Sequence, residues 1–88
     1  MEEFIRNAKD FYPTVSQKRR EAWAKLSKLL NDRSYNSIQV ANELGVSAMA
    51  AMMILKNDAA YVSITEEMLQ GMERLTGFSA KFWREQFN

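Results

Sequence analysis

The stretch from Asn36 to Asn57, Asn-Ser-Ile-Gln-Val-Ala-Asn-Glu-Leu-Gly-Val-Ser-Ala-Met-Ala-Ala-Met-Met-Ile-Leu-Lys-Asn, constrains this chain more than any other. Asn36 reads as a helix cap, because its short side chain can accept from the amide of Gln39, whose own side chain reaches back in a capping box. Val40, Ala41 and Leu44 follow at helical spacing and face inwards. Gly45 then supplies the positive φ angle that closes this helix and aims the next one. Ser47 caps a second short helix running to about Leu55. Two short helices crossing at so tight a turn need a small residue, here Ala41, a left-handed turn residue, here Gly45, and core contacts, here Ala51 and Ile54. From Ala48 to Leu55, however, that second helix carries no polar side chain.

The rest of the chain follows the same helical periodicity. Phe4, Ile5, Ala8, Phe11 and Tyr12 predict an amphipathic helix over residues 2–12, which Pro13 ends. Thr14, with Gln17 three residues on, predicts the cap of the next helix, whose apolar stripe is Ala22, Trp23, Leu26, Leu29 and Leu30. Residues 31–34 make a polar break. Ser63 or Thr65 starts a further helix with Glu66 and Glu67 at the positive end of its dipole and Met68, Leu69, Met72 and Leu75 inside. Gly77 ends it. Ser79 caps a last helix in which Phe78 and Trp83 stand at staple spacing. No strand pattern competes, so the expectation is a single all-α domain over residues 1–88 with five or six helices.

At 88 residues there is room for one small core but not for a catalytic cleft between lobes. The chain has no cysteine and no histidine, which removes disulfides, thiolate chemistry, imidazole bases and the usual zinc ligands. The adjacent pairs Glu2-Glu3 and Glu66-Glu67 read as solubilising charges or dipole partners rather than a general acid and base. Ser16, Ser34 and Ser63 have no histidine to activate them. These features predict a protein that is not an enzyme and takes no cofactor or metal. No apolar run approaches the ~20 residues that span a bilayer, and Met-Glu-Glu-Phe lacks the basic start of a signal peptide. The expected location is the cytoplasm.

The net charge of +1 is unevenly spread. Residues 16–33 carry six basic and two acidic side chains, whereas residues 34–64 and 65–88 are each slightly acidic. Lys18, Arg19, Arg20, Lys25, Lys28 and Arg33 therefore read either as a stripe that faces phosphates or as a solvated helix face.

From about Leu26 to Phe87 the chain resembles the Xre-type, phage-repressor-like helix-turn-helix family, in particular its HigA-like antitoxin branch. The residues that carry the resemblance are Val40-Ala41-Asn42-Glu43-Leu44-Gly45-Val46-Ser47, Ile54-Leu55, Ile64-Thr65-Glu66-Glu67-Met68 and Gly77-Phe78-Ser79-Ala80-Lys81-Phe82-Trp83. The resemblance implies a compact five-helix domain, with the helix at 2–12 as an addition, the helix-turn-helix at 36–57 and the C-terminal helices at 64–88. It also implies a homodimer that binds palindromic double-stranded DNA and represses its own operon, and for the antitoxin branch a protein that neutralises a ribonuclease toxin. Carried over by position, Ser47 and Lys56 match polar contacts to DNA, and Ser37 stands where the family often has a phosphate-clamping glutamine. Lys18, Arg19 and Arg20 are the candidate phosphate contacts outside the motif. Ala48, Met49, Met52 and Met53 occupy positions where the family commonly has Arg, Gln, Thr, Ser or Lys.

Three readings of the Ala-Met helix stay open. Its methionines are partly core, as in a helix buried on two sides. Alternatively, they meet DNA through thymine methyls and groove shape, since none can hydrogen-bond a base edge. Or they form a surface for a protein partner, because flexible methionines adapt to what they touch. The turn geometry points Ala48, Met49 and Met52 outwards. Phe4, Phe11, Trp23, Phe78, Phe82, Trp83 and Phe87 are mostly core by spacing, and Trp83 with Phe87 presents a face that could extend into a dimer contact.

Overall fold

Five side-chain oxygens start five helices. In the computed structural model, which describes residues 16–88, Ser16, Asn36, Ser47, Thr65 and Ser79 each accept a hydrogen bond from the backbone amide three residues on. The helices they cap are α1 (Gln17–Asp32), α2 (Ser37–Leu44), α3 (Ala48–Leu55), α4 (Glu66–Thr76) and α5 (Ala80–Phe87). The described residues are all-α, without a strand. The helix expected over 2–12 lies outside them.

The expected caps hold at four helices and move at one. Asn36 and Gln39 form the reciprocal capping box, with both bonds at 2.9 Å. Gly45 and Gly77 end α2 and α4 in the left-handed region, at φ 68° and 84°. The cap of α1, however, is Ser16 rather than Thr14. Its hydroxyl accepts from the Arg19 amide at 3.1 Å, and Gln17, now the first helical residue, turns its amide to Glu21 instead of closing a box. Two hydroxyl residues precede this helix, and the one nearer the apolar stripe caps it.

One hydrophobic cluster joins all five helices. Trp23, Leu26 and Leu30 of α1 meet Val40 and Leu44 of α2, Ala51 and Ile54 of α3, Met68, Leu69, Met72 and Leu75 of α4, and Trp83 and Phe87 of α5. Trp83 is fully buried and donates its indole N–H to Thr76 Oγ1 at 3.0 Å, so burial leaves that donor satisfied. Trp83 and Phe87, at 0 % and 7 % exposure, are thus taken up by the core of the single chain. Phe78 corrects the expectation in the other direction. It is 44 % exposed, because Gly77 turns the chain outwards before α5, yet its ring meets Trp83 edge-on at 6.2 Å, as a staple does, and stacks on Phe82 at 4.9 Å.

Between α2 and α3 the chain changes direction by 112° across Gly45, Val46 and Ser47. Gly71 of α4 allows the close approach that holds α2 in place: a Cβ there would collide with the Glu43 carbonyl. Arg74, one turn further along α4, donates to that same carbonyl at 3.0 Å and to Glu43 Oε2 at 2.7 Å. Backbone contact and ion pair together lock α2 onto α4. Among the described residues, no single helix is long and apolar enough to cross a membrane.

Candidate functional site

The outward face of α3 is built from positions the core does not need. Ala51 and Ile54, three apart, are buried at 0 % and 1 % exposure. The residues between and around them must then point away, since successive helical positions are rotated by about 100°. Met49 is 73 % exposed, Met52 46 % and Met53 36 %, and Ala48 is exposed as well. Met49, Met52 and Met53 stand at i, i+3 and i+4, so they share one face. The reading of these methionines as core is therefore overturned.

Polar groups lie only at the two ends of this helix. At the start, Ser47 Oγ accepts from the Ala50 amide at 3.1 Å, while the amides of Ala48 and Met49 precede the first intrahelical bond. At the end, Lys56 caps α3 through its backbone amide, which donates to the Met52 carbonyl at 3.0 Å, and its ammonium is exposed. Ser37, the first residue of α2, is half-buried. On the same helix Ile38 is 67 % exposed, an apolar contribution to the surface that sequence periodicity did not reveal. A lone isoleucine in the first turn of a short helix carries no periodic signal. Glu67 of α4 brings a carboxylate against Gly45, occupying the space where a Cβ would sit.

The basic residues of α1 do not form one free stripe. Arg19 turns inwards and donates to the carbonyls of Ala60 and Val62, at 3.3 and 2.6 Å, tying the loop after α3 to α1. Arg33 donates to the Leu75 carbonyl at 2.9 Å, at the end of α4. Lys25 reaches Gln86 and lies over the Phe82 ring, and Lys28 pairs with Asp32. Lys18 and Arg20 are exposed and make no ion pair among the described residues. Arg20 lines a cleft of about 290 Å³ with Trp23, Asn57 and Ala60, which places it beside the loop that leaves α3 next to Lys56.

A larger cleft, about 500 Å³, lies between α1, α4 and α5 and includes Arg19, Thr65, Glu66, Arg84 and Phe87. Glu66 and Arg84 pair with each other there, while Arg19 is held by backbone carbonyls. Arg84 holds both oxygens of Glu66, at 3.2 and 2.7 Å, and the side-chain bond with the carboxylate's charge raises the guanidinium above its usual range. Among the described residues, no group of three or more acidic side chains converges as a metal site would require.

Comparison with known proteins returns nothing on which to lean: no family model, no curated protein and no solved structure matches the chain.

Proposed function

We propose that this chain is a small helix-turn-helix regulator of the Xre type that binds double-stranded DNA as a dimer and represses transcription by occluding a promoter. The observation that carries the reading is the disposition of α2 and α3. Two eight-residue helices meet at 112° through a left-handed glycine, and the second presents its outer face to solvent. That angle falls within the range by which such a motif lays its second helix in the major groove. On this reading Ser47 and the first amides of α3 approach a phosphate, Lys56 and Arg20 neutralise phosphates beside the far end of the helix, and Lys18 extends the basic edge. Ser37 sits at the start of α2, where the backbone of the duplex passes.

Sequence readout is then mostly apolar. Ala48, Met49, Met52 and Met53 offer methyl and thioether surface to thymine methyl groups and to groove shape, without a donor for a base edge. Titration of duplex DNA from the region upstream of the gene, at several salt concentrations, tests the reading. It requires a site bound more tightly than unrelated DNA, with log affinity falling as log salt rises. Weak, sequence-independent binding even at low salt removes the regulator from consideration.

A second reading is favoured by one specific observation. Met49, Met52, Met53 and Ile38 are all exposed on the two helices of the motif, and no acidic or basic side chain interrupts α3. Such a surface suits an apolar protein partner, such as a toxin to be neutralised or a host complex to be inhibited.

A further inference from the structure

The chain has six methionines and no cysteine, so thioethers are its whole stock of oxidisable sulfur. They divide sharply by position. Met68 and Met72 are buried at 2 % and 0 % exposure within α4, whereas Met49, Met52 and Met53 stand at 73 %, 46 % and 36 % on one face of α3. Met1 lies outside the described residues. Susceptibility to oxidation follows exposure, and the sulfoxide turns a flexible apolar side chain into a polar, chiral one. Exposed sulfur thus coincides with the candidate binding surface, and buried sulfur with the core.

We propose that Met49, Met52 and Met53 form a peroxide-sensitive modification site whose oxidation releases the bound DNA while leaving the fold intact. The inference rests on the regulator reading of α3. In the reaction, each thioether sulfur attacks one oxygen of hydrogen peroxide. An S–O bond forms, the O–O bond breaks, sulfur loses two electrons, and the peroxide leaves as water. Three sulfoxide oxygens then stand where the apolar contacts with the groove were. Each is an acceptor with no donor of its own to offer a phosphate, and each holds water that binding must strip away. Folding is spared because the core of α3 is Ala51 and Ile54, neither of which contains sulfur. Reduction of the sulfoxides by methionine sulfoxide reductases restores the surface.

The test treats the full chain with dilute hydrogen peroxide and follows three readouts on the same sample. Peptide mass mapping is expected to show oxidation at Met49, Met52 and Met53 well before Met68 and Met72. Thermal melting is expected to stay unchanged at that stage. Affinity for the upstream duplex is expected to fall roughly tenfold or more, as loss of apolar contact at three side chains implies, and to recover after reductase treatment. The variant Met49→Leu/Met52→Leu/Met53→Leu, whatever its starting affinity, loses no more on peroxide treatment. Equal oxidation of the buried pair, or unchanged DNA affinity in the fully oxidised α3, overturns the switch alone. If the untreated chain binds no DNA, the regulator reading falls and the switch falls with it.

Discussion

Asn31 donates its side-chain amide to the carbonyl of Leu55 at 2.8 Å, and Ser27, one turn earlier on α1, donates to the same oxygen at 3.0 Å. Leu55 ends α3, so its carbonyl is one of the four that a helix leaves without an internal partner. Two donors on one acceptor fix the end of the helix that carries the candidate site. Asn31 also holds the Ser27 carbonyl at 2.8 Å, which orders the amide itself. The basic helix thus serves α3 as a mount, through neutral side chains rather than through its charges.

Removing the mount is expected to reveal a shared role. With either Ser27→Ala or Asn31→Ala the Leu55 carbonyl keeps one partner, and each costs about 1 kcal/mol or less. The double variant leaves it none. Its loss should exceed the sum of the singles, and for a domain of this size each kcal/mol lowers Tm by roughly 4–8 °C. Thermal melts followed by circular dichroism on the three variants check this.

Gly71→Ala is expected to destabilise despite placing a good helix former inside a helix. Alanine gains about 1 kcal/mol over glycine by propensity. Against this, the new Cβ meets the Glu43 carbonyl, which is backbone and cannot swing aside, so the overpacking cost of about 3 kcal/mol wins. Gly77→Ala is the control. Nothing lies within 4 Å of its Cβ position, and only the left-handed φ of 84° is strained, at about 1 kcal/mol. Denaturant unfolding should rank Gly71→Ala as the more damaging by a factor of about two in free energy.

The basic residues should separate into two classes. Lys18→Ala and Lys56→Ala are expected to weaken binding to all DNA sequences alike, each reducing the salt slope by roughly one unit, with no change in Tm. Arg19→Ala should do the reverse. Its guanidinium holds the Ala60 and Val62 carbonyls, so the variant melts earlier by an amount corresponding to about 1–3 kcal/mol. A large Tm loss in Lys18→Ala would show that the division is wrong.

Met52→Lys distinguishes DNA from an apolar protein partner. An added ammonium on the exposed face strengthens non-specific DNA binding, because one more phosphate is neutralised. In an apolar protein interface the same charge is buried without a partner and abolishes binding. Fluorescence anisotropy with unrelated duplex DNA reads the first outcome, and weaker binding than the parent chain contradicts it.

How much of this was legible in the chain depends on the range of each interaction. Asn36, Gln39, Gly45, Ser47, Gly77 and Ser79 act on neighbours within a few positions, and their roles could be read residue by residue. The exposure of Ala48, Met49 and Met52 was legible too, because Gly45 sets the phase of α3 relative to the core. Ser16 was missed in favour of Thr14, since two hydroxyl residues, one on either side of Val15, compete for one cap and local pattern does not choose between them. Arg19 and Arg33 were grouped with the solvent-facing cations. Their carbonyl partners lie more than 40 positions away and appear only once α1 has packed against α4 and the loop after α3. Ser27 was invisible for a similar reason: a serine inside an apolar stripe gives no hint that Leu55 supplies its acceptor.

Backbone amide shifts, followed by NMR as upstream duplex DNA is added, test the central claim most directly. The account predicts that the largest changes fall on Ser37 and on Ser47 to Lys56, with smaller ones at Lys18 and Arg20 and little at α5. Shifts centred on α4 or α5, with α3 unmoved while DNA binds, would contradict it.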